Sequence, residues 1–267
     1  MAYGGKDNTI GEWSIDKLAF LEKYLPIFVN ATKRALHRYY IDGFAGNGEW
    51  IHRETGEYVP GSATIALKYA NDFTGLHFVE MDPDRVSNLK RLVKDFSTEH
   101  KAKVHQGDTN IILPEIMKGI HPKAPTFVFL DPSGDQLNWK TIESLANWKT
   151  ELFILYPYHM TIARYLPNDK DELKDWQKGR LNNFFGTDEW YDIYTSNDRL
   201  YLLSELLNLY KSRLEKLGYS YCNVSEVFKN TTGQYLYYMI WVGKNAAGKK
   251  IMDWVYKQQN PQISLDI

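Results

Sequence analysis

Tyr40-Ile41-Asp42-Gly43-Phe44-Ala45-Gly46-Asn47-Gly48 decides the fold, because an apolar strand runs into an acidic residue and then into a turn with three glycines. Glycine lets a ligand approach the backbone, since no Cβ blocks it and positive φ costs nothing. A nicotinamide-binding turn requires G-x-G-x-x-G, and counting from Gly46 the third glycine is replaced by Ile51. No Gly-Lys-Ser or Gly-Lys-Thr follows, so a phosphate-binding P-loop is disfavoured as well. A bare tight turn explains the stretch equally well until its neighbours are read.

Outward from that turn, strands and helices alternate at the spacing of a parallel sheet covered on both faces. Leu76-His77-Phe78-Val79, Val104-His105-Gln106, Thr126 to Leu130 and Glu151 to Tyr156 read as further strands. Helices are expected from Ser14, across Pro26, to about His37, and over Gly61 to Ala70, Asp84 to Phe96, Ile111 to Lys118 and Trp139 to Trp148. A polar loop is expected between the glycine turn and Gly61. A helical insert is expected at about 160–200, then a helix over Tyr201 to Leu217. Strands over Tyr221 to Phe228 and Tyr235 to Val242, joined at Asn230-Thr231-Thr232-Gly233, and a helix over Lys249 to Gln258 complete the chain.

Four successive strands each deliver a carboxylate at or just past the same edge: Asp42, Glu80, Asp108 and Asp131. Ligands of open α/β sheets bind at that edge. Any one of these acids is also explained as a helix cap or turn residue, Asp108 above all. It is their joint placement that points to a site.

The chain has 267 residues, 32 Lys plus Arg against 33 Asp plus Glu, and a net charge of −1, which excludes a globally basic nucleic-acid binder but not a local basic face. The length suits one layered domain over residues 1–267, with an N-terminal helical extension over 1–38. A single cysteine, Cys222, excludes an internal disulfide and a cysteine-based zinc site. No histidine pair shows metal-ligand spacing, and no metal is expected. No apolar run reaches the roughly 18 to 20 residues of a membrane span, and the start MAYGGKDNTI lacks the order of a signal peptide. A soluble, cytoplasmic protein without membrane association is therefore expected.

The four acids and the glycine turn resemble the S-adenosylmethionine-dependent methyltransferases of the Rossmann-like class. That resemblance implies S-adenosyl-L-methionine as cofactor. It assigns the methionine part to Asp42, Gly43, Phe44, Gly46 and Gly48, the ribose hydroxyls to Glu80, and the adenine amino group to Asp108. More narrowly, Lys23-Tyr24-Leu25-Pro26-Ile27-Phe28, the glycine turn, Pro60-Gly61-Ser62-Ala63, Phe129-Leu130-Asp131-Pro132-Ser133-Gly134 and Lys249-Lys250-Ile251-Met252 resemble the three-Cys-motif partner proteins. These are a bacterial and phage-associated family of methyltransferase-like proteins, encoded beside a cysteine-motif protein that the resemblance implies as a partner.

Asp131-Pro132-Ser133-Gly134 also partly resembles the Asp/Asn-Pro-Pro-aromatic motif of enzymes that methylate amino groups of nucleic acids. Ser133 and Gly134 depart from it, so the stacking aromatic is missing and Tyr158 is the candidate to supply it. The expectation is a seven-stranded, mostly parallel α/β fold of the Rossmann-like class I methyltransferase type. Asp131 and Tyr158 are its catalytic candidates, Asp131 also borders the cofactor, and a nucleic-acid amino group is the favoured acceptor. A non-catalytic binding or assembly partner, favoured by the departure at Ser133-Gly134, and another nucleotide-using enzyme are the alternatives.

Overall fold

The computed structural model describes residues 8–196, 199–229, 233 and 235–259. In chain order the first half contains β1 (Thr9–Ile10), α1 (Glu12–Ala31), β2 (Tyr39–Asp42), β3 (Glu49–His52), β4 (Tyr58–Pro60), α2 (Ser62–Leu67), β5 (Gly75–Glu80), α3 (Pro83–Asp95), β6 (Ala102–Gln106) and α4 (Thr109–Lys118). The second half contains β7 (Thr126–Leu130), α5 (Trp139–Leu145), β8 (Thr150–Tyr156), α6 (Ala163–Tyr165), α7 (Asp175–Phe185), α8 (Glu189–Ser196), α9 (Arg199–Lys216), β9 (Tyr221–Val224), β10 (Phe228–Lys229), β11 (Tyr235–Gly243) and α10 (Ala246–Gln259).

The main sheet runs β10-β11-β8-β7-β2-β5-β6, with β9 also paired to β11. Strands β6, β5, β2, β7 and β8 are mutually parallel and β11 is antiparallel to β8. The mostly parallel Rossmann-like α/β sheet is thus present. Its seventh position is shared by β9 and β10, because the strand expected over Tyr221 to Phe228 breaks where Ser225 Oγ accepts from Met239 N–H at 2.9 Å. The connection expected at Asn230 to Gly233 lies, Gly233 apart, outside the described residues.

The central strands are buried on both faces, which is why Thr126–Leu130 reads as an unbroken apolar run. One core layer packs α4, α5 and the insert helices on the side of Ile41 and Val128. The other packs α1, α2, α3 and α10 on the side of Tyr40 and Phe127. The insert is helical as expected, and Leu181, Phe184 and Trp190 tie it to Tyr210 of α9.

Several boundaries differ from expectation. Helix α1 starts at Glu12, because extended Gly11 caps it and Ser14 N–H donates to Gly11 O at 3.0 Å, and it ends at Ala31 with Thr32 closing on Phe28 O. Pro26 sits inside α1 without ending it, since the Glu22 carbonyl it leaves without a helix donor belongs to an exposed residue. The helix expected from Gly61 to Ala70 is α2 followed by a separate turn at Ala70–Asp72, and α5 stops at Leu145 instead of Trp148. The expected polar loop is the β3–β4 hairpin, which with parallel β1 forms a second, three-stranded sheet. Alternation is weak there because Ile51 and Tyr58 are exposed. Among the described residues no helix is long and apolar enough to cross a membrane.

Candidate functional site

A cavity of about 730 Å³ opens at the C-terminal edge of the parallel strands. Its floor is the β2 turn, where Gly43 N–H donates to Phe129 O and Ala45 N–H to Val79 O, each at 2.9 Å. The loop is thereby bonded to the strands on both sides of β2. Gly46 has φ +62°, and a Cβ there would lie 3.0 Å from Trp50 Cζ2 on β3. The small sheet therefore packs directly on the glycine turn, and only glycine suits both the backbone angle and the space.

Glu80 ends β5 and lines the cavity. Its Oε1 accepts from Met81 N–H at 2.8 Å and Asp82 N–H at 2.9 Å, which holds the carboxylate in place. Asp108 is the N-cap of α4, accepting on Oδ1 from Asn110 N–H at 2.9 Å, and it also lines the cavity. The capping role and the wall position coexist, since a carboxylate has about four acceptor sites on two oxygens.

Asp131 leaves β7 into the same cavity, 13% exposed, with Oδ2 ion-paired to Lys17 of α1. Its Oδ1 is buried and has no hydrogen-bond partner among the described residues. An orphaned acceptor of this kind costs free energy unless a ligand satisfies it.

Gly43, Phe44, Gly46, Glu80, Asp108 and Asp131 are brought together in the cavity wall, whereas Asp42, Gly48 and Tyr158 are not part of it. Asp42 follows Tyr40 by two residues on the strand and so turns into the α2 side, where it is fully buried and accepts from Phe44 N–H at 3.1 Å. Burial lifts its carboxyl to about 7, against the hydrogen bonds from Ser62 and Phe44 that pull it down, and the charge of Asp131 adds to the rise. Gly48 faces α3: a Cβ there would lie 2.8 Å from Leu92 Cδ2. Tyr158 packs edge-on against Tyr238, 5.2 Å between centroids.

Sequence reasoning missed Lys17, Trp50, Arg53, Asp135 and Arg180, all of which line the cavity. For Lys17 a signal existed: Ser14, Lys17 and Leu18 share one face of α1 at i, i+3 and i+4, so a lysine interrupts the apolar stripe. Asp135 accepts from Tyr165 O–H at 3.1 Å and pairs with Arg180 at 3.4 Å, which joins the insert to the cavity rim. Arg85 lies over Trp50 at 5.8 Å.

Outside the cavity, β5 and β6 bring His77 Nδ1 and His105 Nε2 to 3.0 Å. Among the described residues, no group of three or more metal-ligating side chains is assembled.

No family model and no curated protein sequence matches the chain. Among solved structures, it is similar to protein LPL1258 from Legionella pneumophila, described under family model DUF519, at 10% identity over 90% of this chain and 91% of that one, with a TM-score of 0.56. The likeness is one of fold. An O-methyltransferase from Bacillus cereus, solved in complex with SAH, matches at 13% identity over 86% of this chain and 81% of its own, with a TM-score of 0.45. The resemblance to three-Cys-motif partner proteins rests on the stretches quoted above.

Proposed function

We propose that the chain is an S-adenosylmethionine-dependent methyltransferase acting on an amino group of nucleic acid. The observation that carries this reading is Asp131 at the cavity's edge, one oxygen held by Lys17 and the other buried without a partner among the described residues, in a wall shared with Glu80 and Asp108.

The residues fit such a cofactor. The cavity lies within the roughly 300 to 1,000 Å³ of small-molecule sites. Glu80 and Asp108 each spend one oxygen on backbone amides, and the remaining acceptor capacity suits ribose hydroxyls at Glu80 and an exocyclic amine at Asp108. Gly43 to Gly46 would lie along the methionine part, where a side chain at Gly46 would press on Trp50. Asp42 holds the turn through Phe44 N–H and lies outside the cavity wall.

When bound, the cofactor supplies a methyl group already activated on a sulfonium. The protein's work is therefore mainly positioning. Asp131 Oδ1 accepts an N–H of the acceptor amine, orients the nitrogen lone pair toward the donor side of the cavity, and is at hand for the proton that nitrogen releases. Lys17 holds the other oxygen so that the carboxylate does not rotate away. A target base inside a duplex would have to be flipped out or already unpaired.

The test pairs calorimetry of the donor with transfer of a labelled methyl group to total RNA, DNA and protein. Wild type should label a nucleic-acid pool; Asp131→Ala should bind the donor with near-normal affinity and transfer little. Donor bound by wild type with no pool labelled would overturn the reading in favour of a binding protein.

A further inference from the structure

The same edge of the sheet carries a second feature, a cluster of rings beside the cavity. Because β11 runs antiparallel to β8, with Tyr238 opposite Tyr156, Tyr235 and Tyr238 arrive where the chain leaves β8 through Tyr158 and His159. Tyr158 stands edge-on to Tyr238 at 5.2 Å and 88°, and to His159 at 5.0 Å and 74°. Tyr235 completes the group, 6.3 Å from Tyr158 and 6.2 Å from His159, and is 43% exposed. Lys229 of β10 sets its ammonium 5.1 Å from the Tyr235 ring centre.

This cluster adjoins the Asp131 turn. A Cβ on Gly134 would lie 2.9 Å from Thr161 Oγ1, so the turn bearing Tyr158 packs on the turn whose Pro132 and Ser133 line the cavity. Exposed aromatics scattered singly need no explanation, but four contacting rings with a cation beside a ligand cavity form a contact surface.

We propose that Tyr158, His159, Tyr235, Tyr238 and Lys229 form a stacking platform for single-stranded RNA flanking the nucleotide presented to Asp131. This rests on the methyltransferase reading above. Aromatic faces stack on any base and so guide a strand without demanding a sequence, and Lys229 offers a counter-charge for its phosphate. Burial and the neighbouring phenols raise the Tyr158 and Tyr238 hydroxyls above their ordinary value, so they stay protonated and able to donate. Phenols donate and accept as a ribose 2′-hydroxyl requires, which is the feature that separates RNA from DNA. The platform meets a neighbouring base instead of the target, since its rings lie outside the cavity wall.

The experiment titrates protein into a fluorescein-labelled, unstructured 12-nucleotide RNA and the DNA of the same sequence, reading anisotropy, with S-adenosylhomocysteine calorimetry and a melting curve on each preparation. Tyr235→Ala is expected to weaken RNA binding about tenfold, on the scale of one lost base–aromatic stack. Tyr235→Phe should keep most of the affinity, and Lys229→Ala should flatten the salt dependence. Tyr235→Leu preserves apolar bulk, so a loss shared by the Leu and Ala variants with melting intact assigns the effect to the ring. Equal RNA affinity in wild type and both variants would overturn the platform, and DNA bound as tightly as RNA would overturn the choice of strand. A wild type that binds S-adenosylhomocysteine but no RNA refutes the platform and leaves the cofactor site standing; one that binds neither refutes both.

Discussion

Lys17 of α1 and Asp131 at the end of β7 form an ion pair in which each side chain is only 13% exposed. The pair fastens the N-terminal helix to the turn that follows β7. It also makes the two carboxylate oxygens unequal, since Oδ2 is taken by the lysine while Oδ1 is buried without a hydrogen-bond partner among the described residues.

Replacing Lys17 by Met should therefore cost both stability and transfer. Removing one member of a largely buried pair leaves the other charge uncompensated, at about 3 kcal/mol. Melting should fall by several degrees, methyl transfer should drop, and the affinity for S-adenosylhomocysteine should stay within about twofold. Adding Asp131→Asn should recover much of the lost melting temperature but not the transfer, a double-mutant cycle that isolates the pair. Additive losses in melting would show that the two side chains are not coupled.

Glu80→Gln keeps an acceptor oxygen for Met81 and Asp82 while removing the charge. Donor affinity measured by calorimetry should weaken about tenfold or more, because hydrogen bonds to a charged group contribute about 1.5 to 3 kcal/mol. Unchanged affinity in a variant with a normal melting curve would limit Glu80 to holding its own turn.

At Gly46 an alanine meets a backbone at φ +62° and a Trp50 ring atom 3.0 Å away. Gly46→Ala should lower the melting temperature, since the left-handed conformation costs an L-residue roughly 1 kcal/mol, and should weaken donor binding by shifting the turn. Gly46→Ala together with Trp50→Leu relieves the steric part alone. Full recovery of melting in that pair would show that the backbone angle contributes nothing.

Buried Asp42 and half-buried His77 give stability opposite slopes with pH. Asp42 ionises at about 7 in the folded protein because of burial and near 3.9 when unfolded. Between those values the folded state holds the extra proton, so its contribution to stability declines as pH rises. His77 is held down to about 4 by burial, with the His105 and Lys103 charges adding to the effect. Its unfolded value is near 6.5, so the unfolded chain takes the extra proton and stability declines as pH falls through that interval. The melting temperature of Asp42→Asn relative to wild type should rise from about pH 5 to about pH 8, and that of His77→Gln should rise as pH falls from about 7 to about 4.5. A difference that is flat with pH would refute the corresponding assignment.

The alternation of strands and helices and the edge at which a ligand can bind were legible in the amino-acid sequence because they depend on short-range regularities. Apolar runs such as Phe127 to Leu130 announce strands buried on both faces, and the glycines after Asp42 announce the turn where a ligand can approach. Glu80, Asp108 and Asp131 follow from those same strand ends, and all three line the cavity. Asp42 and Gly48 were harder, for being near the turn does not say which way a residue faces. The two-residue alternation of β2 turns Asp42 toward Ser62, and the path of the turn lays Gly48 against Leu92. The β3–β4 hairpin escaped notice because it packs through Trp50 on the glycine turn and not through an alternating apolar face.

What the sequence alone determined was thus the alternation of elements and the edge of the sheet at which carboxylates gather, since each follows from residues close together in the chain. Only the tertiary structure decided that Lys17 meets Asp131, that Arg180 of the insert meets Asp135, and that Tyr158 joins Tyr235 and Tyr238 instead of the cavity. These partners are far apart in sequence and have no shared period. They are brought together when helices and sheet bury their apolar faces, and that packing, not local propensity, chooses which polar groups must satisfy one another.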